Sequence, residues 1–175
     1  MIKTIALLVV LAVGLVLLLA AFKPDRFRVE RRRHIEAPPE KVFALINDFH
    51  RWGEWSPWEK LDPALQRTYE GPAAGVGAVY GWQGNKKVGQ GRMEILSAAP
   101  PTALAIQLDF IKPISARNTA EFTLTPQGGG TDVTWAMHGP SPFMSKVMQV
   151  FMSMDAMVGK DFEAGLANMQ AAAEK

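Results

Sequence analysis

The sequence of 175 residues predicts an α+β fold: a curved antiparallel β-sheet wrapped around a long C-terminal α-helix, with a transmembrane helix at the N-terminus. Three observations point to it. Thr4 to Phe22 is an uncharged run of 19 residues. Between Val76 and His138, apolar and polar residues alternate with the period of two that a half-buried strand requires. After Ser141 the apolar residues return at the spacing of one helix face.

Composition narrows the function before any motif is considered. Lys and Arg number 19 against 17 Asp and Glu, a net charge of +2. That balance argues against a binder that works by neutralising phosphates, and no nucleic-acid partner is expected. With 48% hydrophobic and 21% charged residues the chain can bury a core. The absence of Cys excludes disulfide scaffolds, thiol nucleophiles, zinc fingers and iron–sulfur clusters.

The apolar run from Thr4 to Phe22 lies between Lys3 and Lys23 and has no polar face. About 20 residues rising 1.5 Å each cover a hydrocarbon layer of roughly 30 Å. A cleaved signal peptide is the alternative. Against it, the run exceeds the usual apolar region of about 7–15 residues. Ala20 and Ala21 are also followed by Phe22, so no clean Ala-x-Ala site closes the run. Residues 1–22 are therefore read as an anchor and 23–175 as one domain, held at the cell membrane by the single span 4–22. Lys23, Arg26, Arg28, Arg31, Arg32 and Arg33 argue for a cytoplasmic domain under the positive-inside rule. Most of these arginines fall in a predicted strand, so sidedness stays open.

That strand runs from Phe27 to Ile35. Ala37-Pro38-Pro39-Glu40 then opens a helix, where proline is tolerated because first-turn N–H groups have no partner. Val42, Phe43, Leu45 and Ile46 form its apolar stripe. Trp52, Trp55 and Trp58 recur at spacing three, as in a short second helix broken at Pro57. Val76–Trp82 and Lys86–Ser97 flank Gly84-Asn85, a hairpin-turn pair. A strand with one buried face follows at Leu104–Phe110. Ala116–Thr125 and Thr131–His138 are joined by a Gly-rich turn, which completes a meander.

Ser141-Pro142 supplies an N-cap and first turn for the last helix. Met144, Met148 and Met152 repeat every four residues, and Phe151, Val158, Phe162, Leu166 and Met169 continue the stripe. Gly159 and Gly165 are weak points, and a kink is expected near Met152–Asp155, where the stripe shifts phase. Six of the chain's nine methionines lie on this segment. Met adapts to irregular apolar shapes, so the segment reads either as the filling of a dry core or as the wall of a cavity.

Five motifs follow one another along the chain: Ile35-x-Ala37-Pro38-Pro39-Glu40-Lys41-Val42-Phe43, Trp52-x-x-Trp55-Ser56-Pro57-Trp58, Gly75-x-Gly77-x-x-Tyr80-x-Trp82, Gly130-Thr131-x-Val133-x-Trp135, and Gly159-Lys160-Asp161-Phe162-Glu163-x-Gly165-Leu166. In this order they resemble the SRPBCC superfamily, which includes START-type lipid carriers, the birch-pollen-allergen fold and polyketide cyclase/dehydrase-like proteins. The resemblance covers Phe27 to Met169 and implies a helix-grip fold with a deep apolar cavity between sheet and C-terminal helix.

Strand parity nominates the residues that face such a cavity. They are Tyr80 and Trp82, Met93 and Ile95, then Leu104, Ile106, Leu108 and Phe110, followed by Phe122 and Trp135. Met148, Met152 and Phe162 join them from the helix. Each reads equally as plain core packing. Trp82, Trp135 and Tyr80 add polar hydrogens to otherwise apolar bodies. Arg31 and Arg33 share the parity of Phe27, Val29 and Ile35. Either a bulge or an edge position sends them to solvent, or one enters the cavity to bind an anionic head group.

No catalytic constellation emerges. His34, His50 and His138 are scattered without metal-ligand spacing. Gly-x-Ser-x-Gly is absent, and Gly75-x-Gly77 lacks a third glycine and leads into a strand, not a helix. Asp109 and Glu121 fall on the polar strand face, and Glu54 on a solvated helix face. No cofactor or metal is expected. The leading expectation is a membrane-tethered protein that holds a hydrophobic or amphipathic, lipid-like small molecule. A polyketide cyclase/dehydrase-like enzyme needs an inward polar pair within hydrogen-bond reach. An interaction module needs an exposed apolar patch on the outer sheet face.

Overall fold

In the computed structural model, which describes all 175 residues, helix α1 (Ile2–Ala21) precedes strand β1 (Arg26–Ile35) and helix α2 (Pro39–Ile46). Two 3-10 segments follow, Phe49–Glu54 and Pro57–Lys60. The strands β2 (Gln66–Glu70), β3 (Val79–Gln83), β4 (Gln90–Ala99), β5 (Ala103–Lys112), β6 (Ala116–Gln127) and β7 (Gly130–Pro140) lead to helices α3 (Phe143–Phe151) and α4 (Met154–Ala173). The strands form one antiparallel sheet in the order β1-β7-β6-β5-β4-β3-β2. A chain whose first strand pairs with its last leaves β1 and β2 as the edges.

The sheet bends where β4 slips against β5. The register shifts between Ile95 and Ser97, leaving Leu96 out of the ladder. Such bulges kink a strand and increase its twist. The concave face carries Ile95, Ile106, Phe122, Leu124, Val133 and Trp135, all buried. On the convex face Arg28 pairs with Glu30 and Glu121, Arg117 with Asp109, and Arg32 with Asp132. That charged surface is the opposite of the apolar patch an outer-face interaction module would need.

The C-terminal segment is not one kinked rod. Met152 adopts an extended conformation and Ser153 caps a new helix by accepting a hydrogen bond from the Ala156 N–H at 3.1 Å. Of the segment's two helices, α4 covers the sheet, through Phe162, Leu166 and Met169. Helix α3 turns aside onto α1. The phase shift in the stripe marks this break, and Met148 and Met152 are carried away from the sheet with α3.

Arg31 and Arg33 lie on an edge strand, Arg33 exposed and Arg31 half-buried, and neither enters the cavity between sheet and helix. The β1–β7 register is unbroken, so no bulge turns them outward. They point at α4, where Arg31 pairs with Asp155 and Glu163, each at 2.7 Å, and Arg33 donates to the Gln170 side chain at 2.6 Å. Its hydrogen bond to Arg31 holds the Asp155 carboxyl below its ordinary range. A cationic strand edge is thus clasped to an acidic helix face, and Gly159 makes room. A Cβ there would lie 2.2 Å from the Arg31 guanidinium.

Gly165 makes the second close approach. A Cβ on it would sit 2.7 Å from the Trp135 ring and 3.3 Å from Pro57. Helix propensity favours alanine over glycine by about 1 kcal/mol. Overpacking a tight core costs about 1–3 kcal/mol. Gly165→Ala therefore lowers stability in denaturant unfolding despite the better helix former; an unchanged or raised midpoint would show that α4 does not lean on Trp135.

Candidate ligand-binding site

Between the concave sheet and the N-terminal half of α4 lies a cavity of about 200 Å³ lined by 17 residues, 14 of them hydrophobic. Its position follows from the unequal reach of the two covers. Helix α2 packs on β6 and β7 at one end, beside α4, and fills that end with Val42, Phe43, Leu45 and Ile46. Toward the β3–β4 loop only the 3-10 turns and the first turns of α4 cover the sheet. There side chains line a hollow without filling it.

Of the residues nominated by parity, Tyr80, Trp82, Met93, Leu108, Phe110, Trp135 and Phe162 line the cavity. Ile95, Leu104, Ile106 and Phe122 face the same way but sit in the filled core, each at most 2% exposed. Met148 and Met152 stand outside the cavity, 42% and 55% exposed, because the helix breaks before α4. Further wall residues come from segments whose parity was not used: Trp52, Ser56, Trp58 and Glu59 from the 3-10 turns, Leu65, Lys87 and Val88 from loops, and Val158 from α4. Ala120 and Met137 complete the strand side.

Aromatic rings give the wall its shape. Trp135 stacks on Phe162 with centroids 4.1 Å apart and planes at 6°, and Trp58 meets both rings edge-on. Trp82 stands edge-on to Phe110 at 6.0 Å, over Gly91, whose added Cβ would lie 2.3 Å from the indole. Most indole donors are satisfied. Trp52 donates to the Ile46 carbonyl, Trp55 to that of Leu45, and Trp82 to that of Val88. The Trp135 N–H is buried with no acceptor. A buried donor left unpaired costs about 1–3 kcal/mol.

Glu59 is the feature that parity could not find. Its side chain is 9% exposed and stands in an apolar wall. The Tyr80 hydroxyl donates to one carboxylate oxygen at 2.5 Å, and Arg67 of β2 donates to the other at 2.7 Å. Arg67 also donates to the Glu59 and Leu65 carbonyls. Burying a carboxylate is costly unless it is paired and hydrogen-bonded, and here both conditions hold. Strand β2 has the pattern Gln-Arg-Thr-Tyr-Glu with every residue exposed, so no apolar alternation announces it. The pairing of Arg67 with Trp82 in the β2–β3 register brings the guanidinium over Glu59.

Burial, reinforced by the bond to Glu59, pushes the Tyr80 phenol above its ordinary range, and burial also raises that of Tyr69. The hydroxyl is thus held as a donor. No group of His, Cys, Asp and Glu side chains suits a metal ion.

A family model described as polyketide cyclase / dehydrase and lipid transport matches residues 26–174. No curated protein matches the sequence. Among solved structures, the Aha1 dimer from Colwellia psychrerythraea superposes with a TM-score of 0.61 at 16% identity, over 85% of this chain and 96% of that one. Protein MLL2253 from Mesorhizobium loti gives 0.61 at 19% identity, over 85% and 97%. The di-domain ARO/CYC BexL from the BE-7585A biosynthetic pathway gives 0.63 at 14% identity, over 90% of this chain and 53% of that one. At these identities the likeness is one of fold.

The chain has two tyrosines, so an alkaline absorbance titration can resolve them. A raised phenol pKa contributes stability that is complete below about pH 10 and is lost as the pH climbs through the folded-state value. Tyr80 therefore ionises last, together with unfolding, and Tyr80→Phe removes that step. Ionisation of both phenols near the free value would show that the Glu59 site is open to water.

Proposed function

The chain belongs to the polyketide cyclase / dehydrase and lipid transport family, and on that premise we propose that it is a membrane-tethered protein that holds a compact hydrophobic or amphipathic small molecule against α4. The observation that carries this reading is the aromatic-walled cavity, with 14 of 17 lining residues hydrophobic and the Glu59 carboxylate held by Tyr80 and Arg67. Such sites are typically apolar with a small number of oriented polar groups. A volume of about 200 Å³ is below the roughly 300 Å³ at which drug-sized sites begin. The ligand that fits without rearrangement is therefore a small ring system, not a long acyl chain. The Trp135 N–H offers a partner to a carbonyl or ether oxygen on it.

The tether is α1, the one helix long and apolar enough to cross a membrane. Its 20 residues match the hydrocarbon thickness. Residues 23–175 then form the ligand-holding domain at the cell membrane.

The pair Tyr80–Glu59 supports a second reading, an enzyme of the cyclase/dehydrase type. A carboxylate and a phenol within hydrogen-bond reach in a mostly apolar cavity can hold and move a proton on a bound substrate. Arg67 occupies the second carboxylate oxygen and keeps the group oriented.

Calorimetric titration of the full chain in lipid nanodiscs with naphthol, referenced to empty discs, tests the binding reading. One site per chain is expected. Ala120→Leu, which adds bulk to the wall, weakens binding about tenfold or more, because a methylene-scale mismatch already costs about 1–3 kcal/mol. Glu59→Gln leaves naphthol binding in place under either reading, and only a loss of turnover on a bound substrate would mark the enzyme. Equal binding by the Ala120→Leu chain would remove this cavity as the site.

A further inference from the structure

The last helix before α4 has its polarity inverted. Between Gly139 and Met154 the chain carries a single charge, Lys146. That side chain is packed against the protein, 11% exposed, and its ammonium donates at 2.5 Å to Asp25, a carboxylate that is itself open to solvent. The bond holds the Asp25 carboxyl below its ordinary range. The outward face instead shows Phe143, Met144, Phe151 and Met152, which are 51%, 69%, 75% and 55% exposed. A helix on the surface of a globular domain presents its polar side to water. On α3 the one charged side chain faces the protein and the large apolar ones face out.

What covers that face follows from where α3 sits. Helix α1 is exposed along nearly its whole length, and the helix it packs against is α3. The contact is at the C-terminal end of α1, where Ala20 is wholly buried and Val16 half-buried. If α1 spans the bilayer, its last turn lies at the boundary between acyl chains and headgroups, and α3 packs beside that turn. Lys23 and Arg26 flank the same junction, placed for anionic headgroups. Exposed Phe and Met on one face, with cations at the edge, is the pattern of a helix lying in a membrane interface.

We propose that α3 is a second membrane contact: it lies in the interface with Phe143, Met144, Phe151 and Met152 in the lipid, and α1 and α3 together fix the orientation of the domain. This rests on the reading of α1 as a tether. Only Met152 and Ser153 separate α3 from α4, whose Val158 lines the cavity. The bilayer surface would then run beside the open end of the cavity, a short path for an apolar ligand that partitions into lipid.

The test uses the full chain, which has no native Cys. Single-cysteine variants Phe151→Cys, Leu11→Cys and Thr123→Cys, each labelled with an environment-sensitive nitrobenzoxadiazole probe, are reconstituted in vesicles of phosphatidylcholine and phosphatidylglycerol with and without doxyl-labelled lipid. Thr123 is exposed on the convex sheet face and serves as the aqueous reference. Blue-shifted emission and loss of signal to doxyl lipid are expected at positions 11 and 151, and neither at 123. Quenching at 11 with a water-like signal at 151 overturns the proposal and leaves the tether standing. A blue shift at 151 without quenching means that a second copy of the chain covers the face, which also overturns it. No quenching at 11 removes the tether and the proposal together, without touching the cavity.

Discussion

The seat of α4 on the indole of Trp135 is the constraint from which the rest follows. Phe162 lies flat on that ring, and Gly165 admits the ring's far edge. With the helix held this close at its middle, Leu166, Met169 and Ala173 fill one end of the sheet against α2. The other end, beneath Val158 and the β3–β4 loop, is too wide for the side chains that face it. The same ring separates the packed core from the hollow, so the cavity is a consequence of where the helix touches.

The polar features divide along that line. On the edge strand, Arg31 and Arg33 grip Asp155, Glu163 and Gln170 and set the helix laterally, in exposed pairs that individually contribute little. In the cavity wall the Glu59 carboxylate is shielded from water and can stay there because Arg67 and Tyr80 saturate it. The first group positions the fold, and the second gives the hollow its one oriented charge.

Much of the architecture was legible in the sequence because it depends on local periodicity. Six of seven strands and the helix opened by Pro38-Pro39 carry a signature of period or capping, and the phase shift near Met152 marks the place of the interruption but reads as a kink and not as a break into two helices. The cavity wall was legible where it is made of strand parity, at Tyr80, Trp82, Met93, Leu108, Phe110 and Trp135. Parity could not separate these from Ile95, Leu104, Ile106 and Phe122, because the same concave face is filled at one end and open at the other. The methionine stripe of α3 misled, since an apolar face looks the same whether it meets a sheet, another helix or lipid. Glu59 and β2 were invisible because their partners are chosen by register, which a polar five-residue strand does not encode.

Methyl-labelled methionine separates these regions in one spectrum of the full chain in nanodiscs. Met93 and Met137 line the cavity, whereas Met144 and Met148 lie on α3 and Met152 just past its end. Addition of naphthol is predicted to shift the Met93 and Met137 methyl resonances saturably and leave those of α3 as they are in its absence. Saturable shifts confined to α3, or none at Met93 and Met137, would contradict a ligand site between the sheet and α4.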